Sequence, residues 1–521
     1  MKIKVRQSVS PFLLCAALMI AFACQELINN DTYWILRVGE EIAKNGIPRI
    51  DALTMHEGLD IVQQQWLTAY IYHLLYSTFG TTGLLAFELV LNVILFRLII
   101  RLCREFGGKG LPSYAITLFG AASAILFFGV LRPQTITAIV SALELLALEK
   151  YRKTGNWKYL FSLPLLSVVS VNTHAATWPM FLVYLLPFLV EFGLKALISF
   201  RNVRRGLCRD ENKPGIRLLT LVGSAALSFG AGFINPYGWR GMTYLLTSIG
   251  IPEISGFVAE MKAPSMTFTP VLFITALAYI ILICLGGKLP VSHVCLAAGT
   301  LYLALTTARG AMDMLLAATP VVACSVKGGR IARLTEALRR LVDRGREAVG
   351  RKLRHNPGSW SKALKISGSI LVVITLITSI AIGFVSAATA DFSSFAADTM
   401  PEAIDWAEAN TDINGESVIF ADYNNGGYLE FRGYKPYIDP RAEIFVAANN
   451  GGKDIFAEYL ESGKNFEKAG QLVQKYEFEY IFVYRSSMIS VWLRSADRGY
   501  EKLYETSDEI EGRIIEIWRL K

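Results

Sequence analysis

An α-helical polytopic membrane protein with a C-terminal α/β domain is the fold class that this sequence predicts. Hydrophobic residues make up 53% of the 521 residues and charged residues only 18%, which is more apolar surface than a single soluble core of this size buries. Apolar runs long enough to cross a hydrocarbon core of about 30 Å recur as far as residue 387. Beyond residue 388 the pattern changes to short strands and amphipathic helices.

About eleven transmembrane helices are predicted from the apolar runs. The first run follows Lys2, Lys4 and Arg6, as the apolar core of a signal peptide would. No clear small-residue cleavage site follows it, so we interpret it as a retained anchor. The predicted spans are 9–28, 82–102, 111–131, 133–148, 157–171, 178–197, 218–234, 268–285, 290–306, 310–326 and 366–387.

The basic residues predict the orientation of these spans, because cytoplasmic loops of membrane proteins carry an excess of Lys and Arg. The loop 327–365 holds twelve of them against three acids, which places it in the cytoplasm together with the amino terminus. The tail, 389–521, holds 14 Lys and Arg against 24 Asp and Glu and is placed outside. The formal net charge of +8 therefore belongs to cytoplasmic loops, and no nucleic-acid partner is expected. We expect a multi-pass protein of the cell (inner or plasma) membrane, in contact with the lipid bilayer.

Two domains are predicted, a transmembrane domain, 1–388, and a soluble extracytoplasmic α/β domain, 389–521. The second is large enough to form its own core. The transmembrane domain carries two notable connections, the first external loop, 29–81, and the basic cytoplasmic loop, 327–365. A further external stretch runs from 235 to 267.

The first external loop is expected to contain two interfacial helices. In the first, which begins near Asp31, the apolar residues Trp34, Val38 and Ile42 recur at helical spacing. The second runs from Gln64 to Phe79, and its many aromatic rings are typical of headgroup depth.

The tail pattern predicts alternating strands and helices. Strands are predicted at Ser417–Phe420, Lys435–Ile438, Tyr480–Tyr484 and Arg513–Arg519, and helices at Pro401–Asn410, Lys453–Ser462 and Asn465–Tyr476.

Asp31 follows the first span directly, with Glu26 one turn before it. A carboxylate at this depth is able to accept the proton of an attacking hydroxyl as a general base. The structural alternative is a helix cap, since Asn30 and Asp31 are both favourable capping residues for a helix that begins at Thr32. The residues alone leave both interpretations open.

Arg132 ends the third span on the same predicted side as Asp31, and Gln134 follows it. An arginine at the membrane face suits a phosphate or diphosphate, which it binds with two hydrogen bonds and a permanent charge. The alternative is a snorkelling boundary arginine. Arg309, between the ninth and tenth spans, poses the same choice, and Asp313 is placed to neutralise it.

His174, at the outer end of the fifth span, is a candidate for orienting a substrate or shuttling a proton, or else a structural residue of the interface. In the tail, the candidates are Asp422, Asn424 and Arg441, which follow predicted strands where ligands often bind. Asn-Gly and Gly-Gly also simply form turns, and Asp439 is placed to pair with Arg441 structurally.

Metal and nucleotide sites have little support in the sequence. The chain contains no HExxH, GxxxxGK[ST] or GxGxxG motif, and its seven cysteines show no paired spacing. No cofactor is indicated with certainty, and a divalent metal is compatible with the residues without being required by them.

The order of several motifs resembles the GT-C superfamily of polytopic glycosyltransferases, in particular a bacterial group with Asp-x-x-Trp-x-Leu-Arg-x-Gly after the first span. Asp31, Trp34, Leu36, Arg37 and Gly39 match that motif. The likeness covers nearly the whole chain, and its further motifs are Ile47–Asp51, Gln65-Trp66-Leu67, Arg132-Pro-Gln134, Asn172-Thr-His174, Asn235-Pro-Tyr-Gly-Trp239, Asp422–Tyr428 and Ile438-Asp-Pro-Arg441.

The resemblance implies an enzyme of the cell envelope that moves a sugar from a polyprenyl-phosphate donor to a glycan, lipid or protein acceptor on the outer face of the membrane. The implied catalytic residue is Asp31, as acceptor-activating base. The alternative is a non-catalytic membrane scaffold or polysaccharide-assembly component that keeps the GT-C architecture. The substrate-binding residues that we predict are Glu26, Trp34, Arg37, Gln65, Trp66, Arg132, Gln134, His174, Asn235, Arg309, Asp422, Asn424 and Arg441.

Overall fold

The computed structural model describes residues 28, 30–204, 214–247, 249–267, 269–337, 340, 399–507 and 513–521. Several predictions lie outside these residues. They are Glu26, nearly all of the span 9–28, the span 366–387, most of the loop 327–365 and the boundary at 388/389.

The first external loop begins with helix α1, Asn30–Asn45, as predicted. The second predicted interfacial helix is not a separate element, because it continues into the span 82–102 as one long helix, α2, Trp66–Glu105. Gly80 interrupts this helix with φ 62°, a conformation that glycine adopts at little cost. The boundary between the two predicted helices is therefore a kink.

All the predicted spans other than 9–28 and 366–387 coincide with helices. The last of them contains a π-helical turn, Met314–Ala318, between Ala311–Asp313 and Thr319–Ser325, and we call the three segments together α10. The other helices are α3 Leu111–Phe128, α4 Gln134–Thr154, α5 Ser162–Thr173, α6 Trp178–Arg204, α7 Pro214–Ala231, α8 Pro270–Leu285 and α9 Val291–Thr306.

Three helices in the described residues are long and apolar enough to cross a membrane, within 66–105, 175–201 and 214–231. A fourth candidate is the pair 308–325 and 329–337, which is bent by 61°. The other apolar helices found by this criterion are shorter. The count of about eleven spans is thus not confirmed and stays a prediction.

Helix ends that the basic residues place on one side of the membrane do contact one another. Lys327 donates a hydrogen bond from Nζ to the carbonyl oxygen of Gly107 at 3.0 Å. Tyr151, at the end of α4, donates to the carbonyl oxygen of Arg217 at 2.7 Å. These two contacts are compatible with the predicted topology, which stays a prediction together with the side that faces the cytoplasm.

The tail has a four-stranded mixed sheet with the order β1-β2-β4-β3. Strands β1 and β2 are parallel, and the other pairs are antiparallel. The elements are α11 Met400–Asn410, β1 Ile419–Ala421, α12 Tyr423–Phe431, α13 Ile455–Ser462, α14 Phe466–Tyr476, β2 Tyr480–Tyr484, α15 Met488–Arg494, β3 Tyr500–Glu505 and β4 Ile515–Leu520.

Most of the predicted tail elements are present, and two differ. Lys435–Ile438 forms no strand, only a bridge from Pro436 to Ile419, since proline has no N–H to donate to a ladder. The polar segment expected to form turns after β1 instead forms the helix α12, which Asp422 precedes with extended backbone. Neither β3 nor α15 was predicted.

The tail shares a hydrophobic core with the first external loop. One cluster of buried residues contains Tyr33 and Leu36 from α1 together with Tyr428 and Leu429 from α12. The rings of Tyr33 and Tyr428 meet edge to face, with their centroids 4.9 Å apart. Helix α12 therefore packs directly on the helix that carries Asp31.

Candidate functional site

Asp31 lies inside the first turn of α1, because the helix begins at Asn30. Its Oδ2 forms an ion pair with Arg132, and its Oδ1 accepts a hydrogen bond from the indole Nε1 of Trp34 at 3.2 Å. Trp34 is one turn along the helix and is buried. Each oxygen of the Asp31 carboxylate therefore has its own partner, Arg132 for Oδ2 and Trp34 for Oδ1.

Arg132 stands in the turn between α3 and α4, and its backbone is fixed by neighbouring elements. Its carbonyl oxygen accepts a hydrogen bond from Tyr72 at 3.2 Å. Its guanidinium pairs with Asp31 and, through Nη1, with Glu260 Oε1 at 2.8 Å. Burial acts to lower the pKa of Arg132, but the charges of Asp31 and Glu260 outweigh it and raise that pKa, so the arginine stays charged.

Glu260 links the two arginines that the sequence singled out. Its Oε2 lies 3.4 Å from Nη2 of Arg309, which is 47% exposed. Partial burial acts to raise the pKa of Glu260, and the charges of Arg132 and Arg309 reverse this and lower it. Asp313 does not neutralise Arg309, since it is buried and accepts a hydrogen bond from Tyr184.

Two adjoining cavities share the wall formed by Arg132, Ala176, Glu260 and Arg309. The polar cavity has a volume of about 360 Å³ and the apolar cavity about 240 Å³. The other residues that line the polar cavity include Asp31, Gln64, Tyr244, Tyr423, Asn424 and Glu443. Those of the apolar cavity include Val130, Gln134, His174, Leu245, Leu272 and Met312.

His174 contributes to the apolar cavity as a neutral side chain. Its Nδ1 lies 2.9 Å from the hydroxyl of Thr137 on α4. Burial, assisted by the charge of Arg309, lowers the pKa of His174 to about 3. The imidazole is therefore uncharged at physiological pH and is available only for neutral hydrogen bonds.

The tail also lines the polar cavity. Asn424 lies at the start of α12, and Glu443 comes from the loop after it. Glu443 accepts a hydrogen bond from Tyr244, and burial raises the pKa of its carboxyl group. The tail thereby supplies an amide and a carboxyl group within the same cavity as Asp31.

Several predicted site residues lie elsewhere. Trp66 donates from Nε1 to Asn172 at 3.0 Å, and Arg37 pairs with Glu40 at 2.6 Å. Gln65 is buried, and its neighbour Gln64 lines the polar cavity instead.

Asn235 stabilises a local turn, in which its side chain bonds to the backbone of Gly232, Tyr237 and Gly238. The carboxylate of Asp422 accepts a hydrogen bond from the backbone N–H of Tyr484 at 3.0 Å. These two predicted residues therefore support the backbone.

Arg441 is buried in a cluster of three carboxylates and does not line either cavity. Its guanidinium bonds to Asp439 at 2.6 Å, Asp51 at 2.7 Å and Glu430 at 2.9 Å. We call these four residues the Arg441 cluster. Asp51 belongs to the first external loop and the others to the tail, so the cluster joins the two segments. Within the tail, Asp439 pairs with Arg441, which is the structural alternative that the sequence offered.

Glu430 is the carboxyl group of this cluster whose pKa is raised. Burial raises its pKa well above the ordinary value, and the charge of Asp439 adds to the effect. Oε2 of Glu430 is buried with no hydrogen-bond partner among the described residues.

We therefore expect Glu430→Gln to fold normally and to be more stable than the parent at alkaline pH. A carboxyl group with a raised pKa in the folded state contributes stability that is lost as pH rises through that pKa, and glutamine has no proton to lose. Thermal unfolding between pH 5 and pH 9 measures the effect. A loss of stability in Glu430→Gln across the whole pH range would contradict the raised pKa of Glu430.

Sequence reasoning missed Glu260, although the external stretch 235–267 was recognised. The available signal was an acid in a loop that is predicted to lie on the same side as Arg132 and Arg309. No group of three or more His, Cys, Asp or Glu residues in the described chain is placed to hold a metal ion. Asp31 and Glu260 instead form ion pairs with Arg132 and Arg309, and Glu443 accepts a hydrogen bond from Tyr244.

Comparison with known proteins gives a likeness of fold. No family model matches the sequence, and no curated protein matches it. The oligosaccharyltransferase of Archaeoglobus fulgidus in its apo form matches with a TM-score of 0.53 and 13% identity, over 96% of this chain and 73% of that one. The same enzyme tethered to an acceptor peptide with the NVT sequon matches with a TM-score of 0.54 and 14% identity, over 97% and 73%. The chain is therefore similar in fold to this archaeal oligosaccharyltransferase, at low sequence identity.

Proposed function

We propose that the protein is an integral-membrane glycosyltransferase that moves a sugar from a polyprenyl-phosphate donor to an acceptor on the outer face of the membrane. The observation that carries the proposal is the shared wall between the two cavities. Arg132 touches the carboxylate of Asp31 on the polar side and lines the apolar cavity on the other. The proposed base and the proposed anion site therefore both adjoin Arg132.

The donor phosphate belongs at this wall. Two guanidinium groups, Arg132 and Arg309, face a space lined by Val130, Leu272 and Met312, which suits an isoprenoid chain. Neutral His174 and Gln134 supply uncharged hydrogen-bonding groups beside them. Stabilising the negative charge of the departing phosphate is the catalytic contribution of the arginines.

The acceptor belongs in the polar cavity. Its hydroxyl or amide attacks the anomeric carbon while the bond from that carbon to the phosphate oxygen breaks. Asp31 takes the proton of the attacking group, and the electron pair of the broken bond leaves on the phosphate. Because this leaving group drives the transfer, the reaction needs no nucleotide outside the cell.

The test is transfer by the purified protein in native lipid from a panel of radiolabelled polyprenyl-phosphate sugars, with donor binding measured in parallel. We expect at least one donor to bind and to give labelled product with a cell-envelope acceptor fraction. Absence of both binding and turnover across the panel would overturn the proposal in favour of the non-catalytic scaffold.

Arg309→Gln is expected to weaken donor binding by about 10- to 100-fold, since a hydrogen bond to a charged group contributes about 1.5 to 3 kcal/mol. The matched control is Arg240→Gln, because Arg240 is 48% exposed and also pairs with one carboxylate, Asp60, at 2.9 Å. Equilibrium binding of the labelled donor measures both variants. Equal losses of donor affinity in Arg309→Gln and Arg240→Gln would exclude a specific role for Arg309.

A further inference from the structure

The indole of Trp34 is built into the site through its contact with Asp31. Trp34 is 6% exposed, and its Nε1 holds the Oδ1 oxygen of Asp31 at 3.2 Å. Arg132 holds the other oxygen. Since the two neighbours approach different oxygens, Trp34 determines how the carboxylate plane is rotated relative to Arg132.

The position of this indole is determined in turn by the tail. The guanidinium carbon of Arg441 lies 5.9 Å from the centre of the Trp34 ring, within the range of a cation–π contact. Arg441 itself is 4% exposed and is held by carboxylates on three sides. A rigid buried charge from the tail therefore lies against the residue that orients Asp31.

A second tail contact supports the same turn of α1. A Cβ atom at Gly427 would lie 3.1 Å from the carbonyl oxygen of Asn30 and 3.3 Å from Cβ of Trp34. Only a residue without a side chain leaves the present spacing undisturbed, because such contacts are tighter than ordinary van der Waals distances. Helix α12 thus contacts the backbone directly before Asp31.

We propose that Trp34 is a positioning residue for Asp31 and that the tail, through Arg441 and Gly427, holds it in place. The tail is then required for the chemical step as well as for lining the acceptor cavity. This inference rests on the proposed function, because it assigns the position of Asp31 a role in transfer.

The test compares Trp34→Phe with Trp518→Phe. Phenylalanine keeps an aromatic ring and removes the Nε1 donor. Trp518 is a close match, since it is 7% exposed and donates from Nε1 to a carboxylate, Glu516 Oε2, at 3.1 Å. We expect kcat to fall about 10- to 100-fold for Trp34→Phe with the KM values for donor and acceptor unchanged, as a misplaced catalytic group affects the rate and not substrate binding. Trp518→Phe should keep the parent kcat.

A second variant covers the case in which Trp34→Phe does not fold. Gly427→Ala adds one methyl group against Asn30 and Trp34, and we expect it also to lower kcat. Its control is Gly463→Ala, whose Cβ would meet its nearest atom at 3.7 Å, an ordinary contact. Hydrogen–deuterium exchange of peptides that cover 30–37 should increase for both test variants and remain at the parent level for both controls.

The exchange measurement does not depend on turnover. If the parent shows no transfer, the proposed function fails, while faster exchange confined to the test variants still supports the contact between the tail and Asp31. If the parent is active, Trp34→Phe with parent kcat and parent exchange would overturn the inference and leave the proposed function intact. A rise in the KM of Trp34→Phe with kcat unchanged would also overturn the inference, because Trp34 would then be a substrate-binding residue.

Discussion

Transfer by the Asp31→Asn variant is expected to fall by about 10² to 10⁴, the usual contribution of a general base. Asparagine keeps the size of the side chain and an oxygen that accepts the hydrogen bond from Trp34, but it does not take up a proton. Donor binding should be retained, since Arg132 and Arg309 remain in place. Rates and donor affinities of purified protein in native lipid, at matched folding and expression, measure the two effects separately.

The control for this substitution is Glu41→Gln on the same helix. Glu41 bonds to Asn45 at 2.6 Å and lies outside both cavities, so its removal should leave transfer unchanged. Undiminished transfer by Asp31→Asn would exclude the carboxylate as the base. Loss of donor binding together with transfer would indicate that Asp31 acts through the position of Arg132.

Arg441→Met is expected to destabilise the protein by about 3 to 5 kcal/mol, the cost of leaving buried carboxylates without their counter-charge. Asp51 and Asp439 would lose their common partner in a place from which water is excluded. Because Asp51 lies in the first external loop, the loss should separate the loop from the tail as well as loosen the tail. Thermal unfolding and limited proteolysis of the tail measure the two consequences.

The matched control is Arg485→Met. Arg485 pairs with Glu505 at 2.8 Å but is 39% exposed, and exposed ion pairs contribute about 0 to 1 kcal/mol. Arg441→Lys should be intermediate, since lysine keeps the charge but not the planar fork that bonds three carboxylates at once. A melting temperature for Arg441→Met equal to that of Arg485→Met would contradict the role assigned to the Arg441 cluster.

The features that sequence reasoning predicted correctly depend on local pattern. Apolar runs predicted the helices. Arg132, His174 and Arg309, which follow the predicted spans, lie together in the lining of the apolar cavity, while the side of the membrane that they face stays a prediction. The strand at Tyr480–Tyr484 was also predicted with its observed bounds, because its five apolar and aromatic residues stand between polar segments.

The features that it missed depend on tertiary contact. Asn424, Gly426 and Gly427 favour turns locally, yet they form a helix because close packing requires it. A Cβ at Gly426 would overlap the carbonyl oxygen of Ile438, as one at Gly427 would approach Asn30. Arg441 likewise shows no sign in the sequence that its partner Asp51 stands 390 positions earlier.

The shared wall between the cavities has a consequence for the order of events in the proposed reaction. Asp31 and the donor phosphate compete for the guanidinium group of Arg132. Donor binding in the apolar cavity is therefore linked to acceptor binding in the polar cavity. An anionic donor that pairs with Arg132 frees the Oδ2 oxygen of Asp31 to contact the acceptor. Asp31 is thereby favoured to take a proton only when the donor is bound. The protein without donor would then not deprotonate an acceptor.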